Sequence, residues 1–279
     1  MEQSSHLNFD FLIYNSLLHL SKTNEISLLV KFSCRSENER QHNLYEVGRK
    51  YGSDYVNKLY NMVWKNLKKK FRFICFTDNE KGINNRIEIF PLPSIEMPKN
   101  KPERGWRKLS ILQKDLNGLK GTCLFLDLDI VIVDNIDPIF ELSGEFLIAF
   151  DKRKKNSSIG NSSVFRFEAG AHHDIYENFN NNSSTILSIF RNEQAYLSDM
   201  IVKKGIFQYW PEGWCPSFKY HCVPNFPFNY FLSPKIPMGA KIILFHGLPE
   251  PADAAEGKSG RWYRYIKKSP WINEHWLIS

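Results

Sequence analysis

Short, continuous apolar runs alternate with amphipathic stretches along most of this chain. The run ISLLVKF at 26–32 is apolar except for Lys31, the pattern of a strand buried on both faces of a parallel sheet. Over 54–70, Tyr55, Leu59, Met62, Val63 and Leu67 recur at helical spacing. That spacing predicts an amphipathic helix, with Lys68 to Lys70 in a last turn that favours the negative end of the macrodipole. FRFICFTD at 71–78 and RIEIFPLP at 86–93 read as the next two strands, and a helix is expected over 106–116. GTCLFLDLDIVIVDNIDP at 121–138 is a buried strand running into acidic residues and a turn, where Asp137-Pro138 reads as an N-cap followed by proline at the first helical position. EFLIAFD at 145–151 and SSVFRF at 162–167 are further strands, 184–200 is helical, and AKIILFHG at 240–247 is a late strand. Strands alternating with helices predict an α/β fold with a mostly parallel central sheet and ligands at the carboxyl ends of its strands. No linker interrupts the alternation. One domain is therefore expected over 25–250, after an extension at 1–24 (a short helix at 9–20) and before a tail at 251–279.

Composition narrows the classes. With 42% hydrophobic and 24% charged residues in 279, the chain is ordinary globular material without repeats or low-complexity tracts. The net charge of +7 suits an anionic partner: a nucleotide diphosphate, an anionic lipid headgroup or nucleic acid. Zinc-finger spacing, an RNP-like segment and a basic helix are all missing, so nucleic acid is not expected. Five scattered cysteines, Cys34, Cys75, Cys123, Cys215 and Cys222, suggest a reducing compartment, with Cys75 and Cys123 acting as small hydrophobes in strands. Cys215, His221 and Cys222 match no standard zinc spacing. The apolar stretch at 11–20 lacks a basic region before it, and no run approaches the roughly 20 residues that span a bilayer. The reading is a soluble, cytoplasmic protein. The Asn-Ser-Ser triplets at Asn156, Asn161 and Asn182 would matter only in a secreted one.

Asp127 and Asp129 carry the chemistry. In extended chain both carboxylates face one side while Leu128 faces away. Two carboxylates this close raise one another's pKa unless a cation lies between them, and hard oxygen ligands suit Mg²⁺ or Mn²⁺ bridging substrate phosphates. The bland alternative is a pair of strand-end aspartates capping local turns. Far downstream, His246 ends another apolar strand and could be a third ligand, while Gly247 could let a backbone amide approach a phosphate. Taken singly, they read as a structural histidine and a turn glycine.

The segments YVNKLYNMVWKNL, FRFICFTDN, GWRKLSIL, CLFLDLDIVIVDNID, NSSVFRF, EQAYLSD, PSFK and FHGLPEP occur in an order that resembles bacterial GT-A glycosyltransferases of the retaining glycosyltransferase family eight group. The resemblance spans about 26–251. It implies a single GT-A-type, Rossmann-like nucleotide-diphospho-sugar transferase domain, and a metal-dependent hexosyltransferase with a nucleotide-sugar donor, UDP favoured. Under it, Asp127, Asp129 and His246 would bind the metal on the donor diphosphate. Lys31, Lys108, Asp127 and Gly247 would contact the donor, with Asn161 and Ser162 at its sugar and Trp106 packing or shaping the pocket. Glu193 and Gln194 match an Asp-Gln pair beside the anomeric carbon, so they are the candidate catalytic residues. The acceptor would be a glycan or a lipid-linked saccharide of a bacterial surface polysaccharide. Two departures stand out. Glu193 is one methylene longer than the matching aspartate, and Glu250 occupies the place of a lysine that contacts the diphosphate, so either another cation such as Lys219 or Lys258 substitutes or donor binding is weaker.

The tail RWYRYIKKSPWINEHW interleaves basic and aromatic residues. It reads as a peripheral membrane contact at the inner face, an acceptor-sugar platform or a docked terminal segment. Two rival readings of the whole chain remain. LFLDLDIVIV also resembles the nucleophile strand of haloacid-dehalogenase-like phosphatases, although it lies mid-chain with no late aspartate pair. A non-catalytic nucleotide- or sugar-binding module is the other.

Overall fold

The computed structural model describes residues 26–31, 51–150 and 159–276. The expected helix at 9–20, Cys34, Asn156 and the side chain of Lys31 lie outside the described residues. Seven strands make the central sheet: β1 (Ile26–Lys31), β2 (Arg72–Phe76), β3 (Glu88–Phe90), β4 (Thr122–Leu126), β6 (Phe146–Phe150), β7 (Gly160–Glu168) and β8 (Phe207–Tyr209). Their order is β3-β2-β1-β4-β7-β6-β8. The pairings are parallel except at β7, which runs antiparallel to β4 and to β6. A second sheet pairs β5 (Ile130–Ile132) with β9 (Ile242–Leu244) in antiparallel register.

The continuous apolar runs follow from burial on both faces of the large sheet. In β4, Leu124 and Leu126 join one core, and Cys123 and Phe125 join the other. The first core packs under helix α1 (Ser53–Asn66), whose Val56, Leu59, Met62 and Val63 are buried. The second lies under α2 (His173–Ile189), α3 (Glu193–Lys203) and a 3-10 segment Trp106–Leu112. There Trp106 is a packing residue, its ring stacked on Phe179 at 5.1 Å between centroids.

Several expectations need correcting. Helix α1 stops at Asn66, so Lys68 to Lys70 lie beyond it. Asp137 is the reason: its carboxylate accepts the backbone N–H groups of Lys68 at 3.2 Å and Lys69 at 3.0 Å, and Ile136 N–H bonds the carbonyl of Asn66. Asp137 is therefore structural, but it caps this distant turn. Its own 3-10 segment, Asp137–Phe140, has Ile136 at the cap position. The helix expected at 106–116 is shorter and 3-10 in type. The helix expected at 184–200 is two helices, divided where the Asn192 side chain accepts the N–H of Ala195 at 3.0 Å and caps α3. The strand expected across 121–138 is two strands in different sheets, and the late strand belongs to the smaller one. β8 has three residues, none of them fully buried, and presents no periodicity to read.

Beyond residue 250 the chain forms two short helices, α4 (Pro251–Ala255) and α5 (Trp271–His275). Ala254, Ile266, Ile272 and Trp276 belong to the first core. Trp276 meets Tyr55 edge-on at 4.9 Å, and the Lys58 ammonium sits 3.7 Å from a Trp276 ring centroid.

Candidate active site

The acidic step Asp127-Leu128-Asp129 is where the chain leaves the large sheet for the small one. Asp127 N–H still bonds the carbonyl of Ser163, next to β4 on β7, at 2.8 Å. Leu128 is buried, and β5 begins one residue after Asp129. The local geometry is thus a turn between strands, not the extended chain expected from alternation. In the small sheet Ile130 lies opposite Leu244, so the residues preceding β5 and those following β9 emerge at the same end.

Three elements converge on Asp127. Lys108, from the 3-10 segment, places its ammonium 2.9 Å from Asp127 Oδ1 and 3.0 Å from Oδ2. The same ammonium donates to the Ser162 carbonyl at 2.9 Å and lies 4.0 Å from Glu193 Oε1. Ser162, on β7, donates its hydroxyl to Glu193 Oε1 at 3.1 Å and its backbone N–H to Gln194 Oε1 at 3.3 Å. Glu193 and Gln194 are the first two residues of α3, so the cap at Asn192 aims both at β7. Gly105 makes this approach possible, because a Cβ there would lie 2.6 Å from Glu193 Oε2. Lys108, Asp127, Ser162, Glu193 and Gln194, singled out separately along the sequence, form one hydrogen-bonded cluster.

Charge is concentrated here. Burial pushes the Asp127 carboxyl above its ordinary range, and the Lys108 ammonium opposes that rise. Asp129 is pushed up to about 7, first by burial and then by the Asp127 carboxylate. On Lys108 burial disfavours the charge, but Asp127, Glu193 and Asp129 outweigh it, so its pKa lies above the usual lysine value. Tyr51 was not anticipated. Its hydroxyl donates to Asp129 Oδ2 at 3.3 Å, and its pKa is raised by burial and then by Asp129, Glu250 and Asp127. A tyrosine ahead of a helix carries no signal of such a contact.

His246 sits beside this cluster. Asn161 Oδ1 accepts the N–H of Ser163 at 2.8 Å, which leaves its amide nitrogen facing His246 Nδ1 at 3.1 Å. Nδ1 is then an acceptor, and Nε2 carries the proton toward Ser217 Oγ at 2.8 Å. Lys219 donates to the His246 carbonyl. Gly247 adopts a left-handed φ of +59°, with open space where a Cβ would point. Tyr55 donates to Glu250 Oε2 at 3.4 Å.

A divalent cation suits part of this arrangement. Two half-buried carboxylates whose pKa values are driven up by burial and mutual repulsion are the donor chemistry a hard cation would relieve. Among the described residues, however, no three His, Cys, Asp or Glu side chains converge as a metal-ligating group. In this arrangement Asp127 is occupied by Lys108 and His246 Nδ1 by Asn161. Cys75, Cys123, Cys215 and Cys222 are in no disulfide. A cleft of about 620 Å³ is lined by Tyr209, Trp210, Glu212, Cys215, Pro216 and His221 among others, and His221 Nδ1 accepts the Ser217 N–H at 2.9 Å.

No protein-family model matches the chain, and no curated protein matches its sequence. Its fold is similar to solved glycosyltransferases. The galactosyltransferase LgtC, in complex with donor and acceptor sugar analogs, superposes with a TM-score of 0.51 at 12% identity, over 85% of this chain and 92% of LgtC. An active-site mutant of LgtC with glutamate in place of glutamine gives 0.52 at 11% identity. The glycosyltransferase GlyE of Streptococcus pneumoniae TIGR4 gives 0.55 at 9% identity, over 91% of this chain and 62% of GlyE. At these identities the likeness establishes the fold: a mixed α/β domain with a mostly parallel seven-stranded sheet of the GT-A type.

Proposed function

We propose that this chain is a metal-dependent glycosyltransferase that moves a hexosyl group from a nucleotide-sugar donor, UDP-linked, to a hydroxyl of a glycan or lipid-linked acceptor, with retention at the anomeric carbon. The observation that carries the reading is the cluster of Lys108, Asp127, Ser162, Glu193 and Gln194 at the carboxyl end of β4. On a GT-A-type sheet, ligands are expected at that end. The fold likeness to LgtC and GlyE supports the same class of chemistry.

Asp127, Asp129 and His246 would hold a Mn²⁺ or Mg²⁺ ion, a Lewis acid for the charge on the leaving diphosphate. The protein's own groups have separable tasks. Lys108 provides a fixed positive charge beside the donor site, oriented by Asp127 and the Ser162 carbonyl. Ser162 orients Glu193 and Gln194 through its hydroxyl and N–H, and their carboxylate and carboxamide would flank the donor sugar. Asn161 would release His246 to contact the donor sugar. Lys219, next to the His246 carbonyl, supplies the cation that Glu250 cannot, and Gly247 offers a backbone N–H to phosphate. Lys31, at the end of β1, would lie beside the nucleoside. The cleft lined by Trp210 and Tyr209 suits the apolar faces of an acceptor sugar.

The test is release of UDP from UDP-hexoses, with and without Mn²⁺, by wild type and by Gln194→Ala. The reading expects metal-dependent UDP release that the substitution lowers by roughly 100-fold or more, the scale of losing a group that acts in the transition state. No release from any nucleotide sugar, together with tight binding of one, would leave a non-catalytic module in its place.

A further inference from the structure

The end of the sheet opposite Asp127 holds a second charged pocket. Thr122 begins β4 and Asp127 follows its last residue, so about 16 Å of strand, at ~3.3 Å per residue, separates the two ends. β7 finishes beside Thr122, and β6 starts there. A pocket of about 420 Å³ opens at this end, lined by Phe140, Leu142, Arg166 and His172 and by the exposed Glu145 and Glu168 at its mouth.

Arg166 is only 5% exposed, yet among the described residues no carboxylate lies within 4.0 Å of its guanidinium. Its Nη1 donates to the Ile139 carbonyl at 2.7 Å and its Nη2 to the Gly144 carbonyl at 2.8 Å. Those bonds tie the Ile139–Gly144 stretch to β7 but leave the charge unneutralised. A guanidinium has five N–H donors, and these two bonds leave three uncommitted among the described residues. A charge buried to this degree is ordinarily paired. Glu168 favours that charge from a distance, against burial, and its Oε2 accepts the Thr122 hydroxyl at 3.5 Å.

His172 points the same way independently. It is 3% exposed, and neither ring nitrogen has a hydrogen-bond partner of ordinary geometry. The Glu145 backbone favours its charged form, but burial first and the Lys204 ammonium second lower its pKa and favour the neutral ring. A neutral imidazole still carries one N–H. His172 stands at the cap position of α2 without making a side-chain cap, so local structure does not account for it. We propose that this pocket binds a small organic carboxylate, its oxygens on the Arg166 guanidinium and the His172 N–H and its apolar part against Phe140 and Leu142. The planar fork of a guanidinium matches a carboxylate. Glu145 and Glu168 at the mouth select a ligand of low charge, because a phosphate ester, with close to two charges, meets more repulsion there. The inference does not depend on which reaction the Asp127 site performs.

The experiment is calorimetry and thermal unfolding of the full chain with sodium benzoate, acetate or phosphate, at an ionic strength held constant with chloride. Benzoate should bind wild type and raise its midpoint saturably, acetate less and phosphate least, with or without UDP and Mn²⁺. Arg166→Met should lose the benzoate response. That change also breaks two carbonyl bonds, so two further variants decide the matter if it does not fold. His172→Phe keeps a ring against Phe146 and removes nitrogens that have no protein partner. It should be as stable as wild type and bind benzoate roughly tenfold more weakly, the scale of one hydrogen bond to a charged group. Glu145→Gln/Glu168→Gln changes exposed residues and should tighten benzoate by roughly threefold to tenfold. Wild type that does not bind benzoate, His172→Phe that binds it equally, or phosphate bound more tightly than benzoate would overturn the proposal. So would weaker binding by the glutamine pair, or displacement of benzoate by UDP with Mn²⁺, which would put the ligand at Asp127 instead.

Discussion

In chelator-treated protein at about pH 8, Asp129→Asn should stabilise the fold, the opposite of the usual effect of changing a half-buried residue. The reason is the site's uncompensated charge. Burial and the neighbouring Asp127 carboxylate raise the Asp129 carboxyl to about 7. In the unfolded chain an aspartate ionises near 3.9. Between those two values the unfolded state has lost the proton and the folded state has kept it, so rising pH favours unfolding; above about pH 7 the loss is complete. At about 1.4 kcal/mol per unit the ceiling is ~4 kcal/mol, and relaxation and solvent screening at a half-buried site reduce it to roughly 1–2 kcal/mol. The amide has no charge to desolvate, and its oxygen can still accept the Tyr51 hydroxyl. The expected gain is roughly 2–6 °C in Tm at about pH 8, shrinking to nothing toward about pH 4. Thermal unfolding of both proteins across that range in chelator measures it. A variant less stable than wild type at high pH, or a gain independent of pH, would refute the reasoning.

Three further outcomes follow from the same geometry. Lys108→Gln removes the ammonium from Asp127 and should cost about 1–2 kcal/mol in urea unfolding, because truncating one partner leaves a half-buried carboxylate without its counter-charge; an unchanged midpoint would contradict the pairing. Asp137→Ala leaves the N–H groups of Lys68 and Lys69 without their acceptor and should cost about 1–3 kcal/mol, while nucleotide affinity stays at the wild-type value in a titration. Ser217→Ala frees Nε2 of His246 and should lower the apparent affinity for Mn²⁺ in calorimetry by roughly tenfold, the lower end for a residue that orients a ligand.

Strands β1, β2, β4 and β6 were legible because each is buried on both faces, so their apolar runs need no register to be seen. The cluster around Asp127 was legible as residues but not as contacts. Lys108, Ser162 and Glu193 lie on three different elements, and only the order of β4 beside β7, with α3 capped at Asn192, brings them together. The turn at Asp127-Leu128-Asp129 was hidden because the apolar pattern continues from β4 into β5 while the chain changes sheets. Asp137 misled for a related reason. An aspartate ahead of proline carries a strong local capping signal, and here its carboxylate is used 68 residues away in sequence instead. Tyr51 and Gly105 carried no pattern at all: one matters through a hydroxyl that meets Asp129, the other through the space it leaves for Glu193.

The central claim, a nucleotide-sugar site that works with a divalent cation, is tested most directly by thermal unfolding with UDP, with Mn²⁺ and with both. A ligand at 100 times its Kd that binds only the folded state adds about 2.7 kcal/mol. The account predicts a rise of several degrees for wild type with UDP and Mn²⁺ together, little with either alone, and none for Asp127→Asn. An unmoved midpoint with every nucleoside diphosphate in the presence of Mn²⁺ would contradict it, and phosphate release from simple phosphomonoesters by the same protein would point to the phosphatase reading.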